Sequence, residues 1–225
     1  MNDELVIISK SNSKFLTIKM HVYLFVKRVF DMLMALLGCV CLIPLTIIIK
    51  ICSLVTKDFA SIFYKQKRIG KNGKYIYIYK FRTMVPNAEE ELKKLLKKPK
   101  YKKQWKKNQK LDSDPRITKI GSFLRKTSLD EVPQFINVLK GDMSMIGPRP
   151  LVEGELDAHN GNHELYESVR PGITGWWAAC SRSNCESYDE RLELEYYYIR
   201  NKGFKIDIKC IFKTIKVVLK RDGAK

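Results

Sequence analysis

Met32 to Ile49 is a run of 18 uncharged, mostly apolar residues, preceded by a mixed polar stretch over residues 1–20. The pattern divides the chain into a polar N-terminal tail (1–20), an apolar membrane segment (21–57) and a longer amphipathic body (58–225). As a straight helix the run would reach about 27 Å, just short of a hydrocarbon core of about 30 Å. Pro44 lies inside it, so the helix is expected to kink or break there. Lys27 and Arg28 precede the run, and Lys50 and Lys57 follow it. A spanning helix would leave one basic flank outside, against the positive-inside rule. A hairpin that turns near Pro44 keeps both flanks on the cytoplasmic face; a simple spanning helix is the alternative. The run starts too far into the chain for a cleavable signal peptide and lacks an A-x-A site.

Beyond it the period changes. Between Ser61 and Met84, Tyr75, Tyr77 and Tyr79 alternate with Ile76, Ile78 and Lys80. Together with Gly70-Lys71-Asn72-Gly73 this predicts two short strands around a turn. Ala88 to Lys110 reads as a basic helical region divided by Pro99, with Glu89 to Glu91 first and ten lysines from Lys93 onward. Acid early and base late suits the helix dipole. Tyr188–Arg200 and Ile206–Lys220 read as helices. The second carries Ile208, Ile211, Phe212, Ile215, Val218 and Leu219 on one face and Lys209, Lys213, Lys216 and Lys220 on another. Such a helix either lies on an anionic membrane or packs on the body. The fold class is therefore α/β, mostly α with a small sheet.

The chemistry gathers between Arg116 and Pro150, where Asp130-Glu131 stands among arginines before a Pro-Arg-Pro turn. Carboxylates among arginines suit phosphate chemistry assisted by a divalent metal. Mg²⁺ takes one or two carboxylates and leaves other positions to water and phosphate, and arginine matches phosphate with a planar fork. Nearby cations are expected to lower the pKa of a carboxylate nucleophile. The same residues fit a capping box, Ser128-x-x-Glu131, or an Asp130 N-cap with Pro133 in the first turn and Gly141 stopping the helix. Spacing leaves both readings open.

A net charge of +18 directs attention to an anionic partner: nucleic acid, membrane surface or phosphorylated substrate. No stacking face or DNA-binding motif accompanies the lysines, so no nucleic acid partner is expected. The six cysteines form no C-x-x-C pair, and Gly161 between His159 and His163 speaks against a metal-binding helix.

KFRTM (Lys80–Met84), the stretch Asp114–Pro150 and RPGITGWW (Arg170–Trp177) closely resemble the bacterial sugar transferases that load polyprenyl phosphate. These monotopic phosphoglycosyl transferases begin capsule, exopolysaccharide, O-antigen and glycoprotein glycan synthesis. The similarity runs from about Val22 to Asp222. It implies a monotopic enzyme of the inner membrane, with a re-entrant helix hairpin broken at Pro44, interfacial helices and a cytoplasmic catalytic domain. It implies transfer of a sugar-1-phosphate from a UDP-sugar to undecaprenyl phosphate, with release of UMP. Asp130 would be the nucleophile, and Glu131, with Asp130, would hold Mg²⁺. Arg125 and Arg149 would bind phosphate, with Lys80 and Asp207 as further members of the site. Relatives commonly carry a serine before the proline, where this chain has Ile43, and a glutamine- or glycine-containing segment where it has Ala178 to Ser181. The chain is expected to be a short member, without the additional N-terminal spans of longer relatives, and a homo-oligomer is possible. The rival reading is an inactive membrane scaffold in an assembly complex.

Overall fold

The computed structural model describes residues 2–108, 111, 113–180, 185 and 187–220, with 2–15, 107–108 and 218–220 described as backbone only. Helix α1 (Asn2–Val55) leads into an antiparallel hairpin of β1 (Phe63–Ile69) and β2 (Tyr75–Phe81). Helix α2 (Ala88–Leu95) and the basic helix α3 (Pro99–Asn108) follow, then α4 (Lys119–Thr127) and α5 (Gln134–Lys140). Strand β3 (Ser144–Ile146), helix α6 (His163–Tyr166), strand β4 (Gly172–Thr174) and helix α7 (Trp176–Cys180) come next. The described chain ends with α8 (Tyr188–Asn201) and α9 (Phe204–Lys220). The structure is thus mostly helical, with β3 and β4 forming a second, parallel pair.

The hairpin occurs where the period-two pattern placed it, with Phe63 opposite Phe81 and Ile69 opposite Tyr75. Pro99 divides α2 from α3 as expected.

Two features of α1 differ from expectation. The stretch expected as a separate tail is helical from Asn2 onward. Pro44, expected to turn the chain back, stays inside one continuous helix. A proline removes a single i→i−4 hydrogen bond, and here the helix on both sides is held by the same body. Leu42 and Ile49 are buried in one cluster with Ile62, Phe81 and Leu124. Thr46 donates its hydroxyl to Leu42 O at 2.7 Å, supplying a polar contact beside the proline.

Tyr23, Asp31, Ala35, Leu42, Ile49 and Ser53 are the buried face of α1, spaced by about whole helical turns. The opposite face is apolar and uncovered: Ile43 is 63% exposed and Leu33 59%. Three charges of α1 turn to the body, while Lys19 and Lys50 are exposed. Lys27 pairs with Asp207 at 3.0 Å, Arg28 donates to Val138 O and Leu139 O at the end of α5, and Asp31 accepts from the Met145 amide. So long an apolar outer face is compatible with association with a membrane.

On α9, Ile206 and Cys210 face inward, while Ile208, Phe212 and Ile215 are exposed, Phe212 by 70%. Lys209, Lys213 and Lys216 are exposed as well. The side chains of Val218, Leu219 and Lys220, and Lys110 of the basic region, lie outside the described residues.

Candidate active site

Strand β2 supplies the first group. Alternation puts Lys80 on the side of Ile76 and Ile78, which are buried, so its ammonium needs a partner near the strand's end. Lys80 Nζ donates to Glu131 Oε1 at 3.0 Å. A freely solvated lysine, the default for a strand, is not what forms.

Helix α4 supplies the second. Thr118 caps it, its hydroxyl oxygen accepting from the Gly121 amide at 2.9 Å. Gly121 lies so close to the KFRTM segment that a Cβ there would meet the Thr83 carbonyl. That approach places α4 beside the end of β2, and one turn later Arg125 donates from Nε to Thr83 Oγ1 at 2.9 Å.

Ser128 ends α4 in the left-handed conformation (φ 56°, ψ 17°) and starts a 3₁₀ turn over Leu129–Glu131. A non-glycine residue there stores roughly 1–2 kcal/mol of strain, a cost found mostly where function requires a turn to be held. Leu129 and Val132 hold it, packing against the core on both sides of the acidic pair. The capping box does not form: Ser128 makes no side-chain cap bond, and α5 begins only at Gln134, after Pro133. Gly141, at φ 85°, ends α5 as expected.

Asp130 is half-buried in this turn. Burial raises its pKa, as does Glu131, and these outweigh Lys80 and Arg125, which lower it. The expectation that surrounding cations depress the Asp130 pKa is therefore corrected: desolvation and the adjacent carboxylate prevail. Two neighbouring carboxylates form a hard oxygen donor set that fits Mg²⁺, which takes one or two carboxylates. Glu131 retains Oε2 beyond its contact with Lys80.

The structure thus brings Lys80, Arg125, Asp130 and Glu131 together. It gives the other expected members different partners. Arg149 donates its amide to Glu195 Oε1 at 3.1 Å and its guanidinium to Glu155 Oε1 at 3.0 Å. Asp207 accepts from Tyr23, Lys27 and Tyr198 at 2.9, 3.0 and 2.9 Å, joining α1, α8 and α9. Pro44 lies in α1 beside the cluster of Leu42 and Phe81. Ser181 and Asn184, in the segment that departs from the expected pattern, lie outside the described residues.

Three site-building residues escaped the sequence reading. Arg82 grips Asp58 with two bonds at 2.9 and 2.8 Å and donates to Met84 O, fixing the exit of β2. Thr83 seats Arg125. Asn137 is fully buried, donating to Tyr77 O at 2.7 Å and accepting from the Tyr79 amide at 2.9 Å, which ties α5 to β2. The first two lie within KFRTM, so the motif itself was the available signal. Asn137 had only its polarity in an apolar run.

The model of a protein family described as bacterial sugar transferase matches residues 22–221. An undecaprenyl-phosphate galactose phosphotransferase of Salmonella typhimurium is 44% identical over 201 residues, covering 89% of this chain and 42% of the relative. The galactosyl transferase CpsE of Streptococcus agalactiae is 42% identical over 209 residues, covering 90% of the chain and 44% of the relative. The exopolysaccharide production protein ExoY of Sinorhizobium fredii is 41% identical over 200 residues, covering 88% of the chain and 87% of the relative. The chain therefore spans less than half of the first two and most of the third.

Proposed function

This chain belongs to the bacterial sugar transferase family, and from that premise we propose that it transfers a sugar-1-phosphate from a UDP-sugar to undecaprenyl phosphate. The observation that carries the reading is the convergence of Lys80, Arg125, Asp130 and Glu131 from β2, α4 and a strained turn.

The Asp130 carboxylate attacks the sugar-linked phosphorus. A P–O bond forms to Asp130, the bond to the bridging oxygen breaks, and UMP leaves. An oxygen of the lipid phosphate then attacks the same phosphorus and releases Asp130, giving the polyprenyl diphosphate sugar. Bound Mg²⁺, held by Glu131 with Asp130, would neutralise charge on the diphosphate. Lys80 keeps Glu131 oriented, while Arg125, seated by Thr83, presents donors to phosphate oxygens with bonds worth roughly 1.5–3 kcal/mol each. Positioning and charge stabilisation are the main requirements of phosphoryl transfer.

The acceptor resides in lipid, which accounts for the uncovered faces of α1 and α9. The body packs along α1 from Tyr23 to Ser53, a coverage that supports monotopic seating rather than a crossing. This seating requires α1 to bend in the membrane about Pro44, where one helical hydrogen bond is missing, so that both ends return to one face. The catalytic body and both basic flanks then face the cytoplasm, at an inner membrane whose anionic lipids attract the lysines of α2 and α3.

The test is UMP release by detergent-solubilised protein given undecaprenyl phosphate, Mg²⁺ and a panel of UDP-sugars, beside Asp130→Asn. Release with one sugar, abolished by the substitution and by chelation, supports the reading and names the donor. Release from none of the panel counts against it and favours a scaffold.

A further inference from the structure

Glu155 Oε1 accepts from two arginines at once: Arg149 Nη1 at 3.0 Å and Arg191 Nη1 at 3.5 Å. A third, Arg68 of β1, is buried at the same place. The antiparallel bridge between Ile69 and Leu151 brings its strand beside the Pro-Arg-Pro turn. Burial disfavours the charge on Arg68, and Arg149 and Arg191 add repulsion that Glu155 only partly offsets. Burial also pushes the Glu155 carboxyl up, but Arg149, the Val152 amide and Arg191 outweigh it and keep it ionised.

The remaining carboxylate is Glu195, 1% exposed. It accepts from the Arg149 amide, and its Oε2 has no partner among the described residues. Burial pushes its pKa up to about 7, so it offers the arginines only a fractional charge near neutrality. Three guanidinium groups thus face one full negative charge and part of another.

Arg191 makes the imbalance specific. It is 9% exposed, yet its Nε and Nη2 have no acceptor among the described residues. Trp177 and Tyr188 stack on its guanidinium at 4.7 and 4.9 Å, fixing the plane of the fork. A buried donor without an acceptor is unfavourable, and a buried cation without a full counter-charge more so. The Arg149 side chain is 38% exposed, so the cluster opens to solvent on that side.

We propose that Arg68, Arg149 and Arg191 form an anion subsite for a substrate phosphate group, which enters beside Arg149 and whose oxygens accept from the two Arg191 donors that lack an acceptor among the described residues. Arg149 was expected to bind phosphate; Arg68 and Arg191 are the new members. The source of the phosphate rests on the transfer reading above. A nucleoside diphosphate and a polyprenyl phosphate present the same oxyanion chemistry.

Full-length Asp130→Asn protein, which cannot turn over by the proposed route, is titrated in detergent with inorganic phosphate, UMP and undecaprenyl phosphate. Tryptophan fluorescence, to which Trp177 contributes, and the shift in melting temperature report binding. Arg68→Gln and Arg191→Lys are each added to this background. Arg191→Lys keeps the charge but loses the fork, and Arg68→Lys replaces Arg68→Gln should the latter not fold. The expected result is at least tenfold weaker binding of phosphate and of one further probe in both variants. Loss for UMP assigns the subsite to the donor, and loss for undecaprenyl phosphate to the acceptor. Phosphate binding that depends on both arginines sustains the subsite even where neither substrate binds, a result that would count against the transfer reading alone. Unchanged binding of all three probes, or no binding by the parent, overturns the subsite.

Discussion

Lys80 Nζ lies 3.0 Å from Glu131 Oε1, across 51 residues of sequence, and so joins the end of the hairpin to the turn that carries Asp130. The pair is partly exposed, so it contributes less than about 1 kcal/mol to stability. Its value is in orientation. Lys80→Met is expected to lower UMP release on the order of 10²-fold with little change in melting temperature. A large drop in melting temperature would assign Lys80 to the fold instead.

Asp207 is expected to act through stability. It is buried and holds Tyr23, Lys27 and Tyr198, so Asp207→Leu leaves a buried ammonium without its partner. The loss is about 3–5 kcal/mol. Lys27→Met combined with Asp207→Leu should regain part of it, because no unpaired charge then remains. Thermal unfolding of the single and double variants in the same detergent measures the difference.

Gly121 is where α4 meets the KFRTM backbone. Gly121→Ala forces its Cβ onto the Thr83 carbonyl and should displace the Thr83–Arg125 bond. A cost of about 1–3 kcal/mol is expected, with a fall in UMP release. Substituting Arg125 as well should then lower release much less than it does in the parent.

Glu195 predicts a pH dependence. Its folded pKa, about 7, lies above its ordinary value of 4.5 because of burial. The folded protein therefore binds an extra proton between about pH 4.5 and 7, and stability falls as pH rises through that window. The full shift corresponds to roughly 3 kcal/mol. Glu195→Gln should remove that slope and be more stable than the parent above pH 7. Melting temperatures between pH 5 and 8 compare the two.

What the sequence revealed, and what it did not, divides by distance along the chain. Period-two alternation around Gly70 and Gly73 located the hairpin, and Pro99 and Gly141 marked helix boundaries, because these signals are local. Asp130 and Glu131 were legible as an acidic pair among arginines, and Lys80 and Arg125 from their motifs. The Ser128-x-x-Glu131 spacing misled because it fits both a cap and a left-handed turn; packing of Leu129 and Val132 decides between them. Pro44 was read as a break because the body holding Leu42 and Ile49 on one face cannot be read from the apolar run itself. Arg149 meets Glu195 46 residues further on, and Asp207 meets Tyr23 and Lys27 184 and 180 residues back, where no periodicity reaches.

Under the proposed reaction Asp130 becomes covalently linked to the phosphosugar. Protein is incubated with the UDP-sugar it uses and Mg²⁺, without undecaprenyl phosphate, and both released UMP and the mass of the peptide containing Asp130 are measured. The expected result is a burst of about one UMP per protein and a phosphosugar mass increase on that peptide, with neither in Asp130→Asn. UMP release only when the acceptor is present, with no adduct on Asp130, would contradict it.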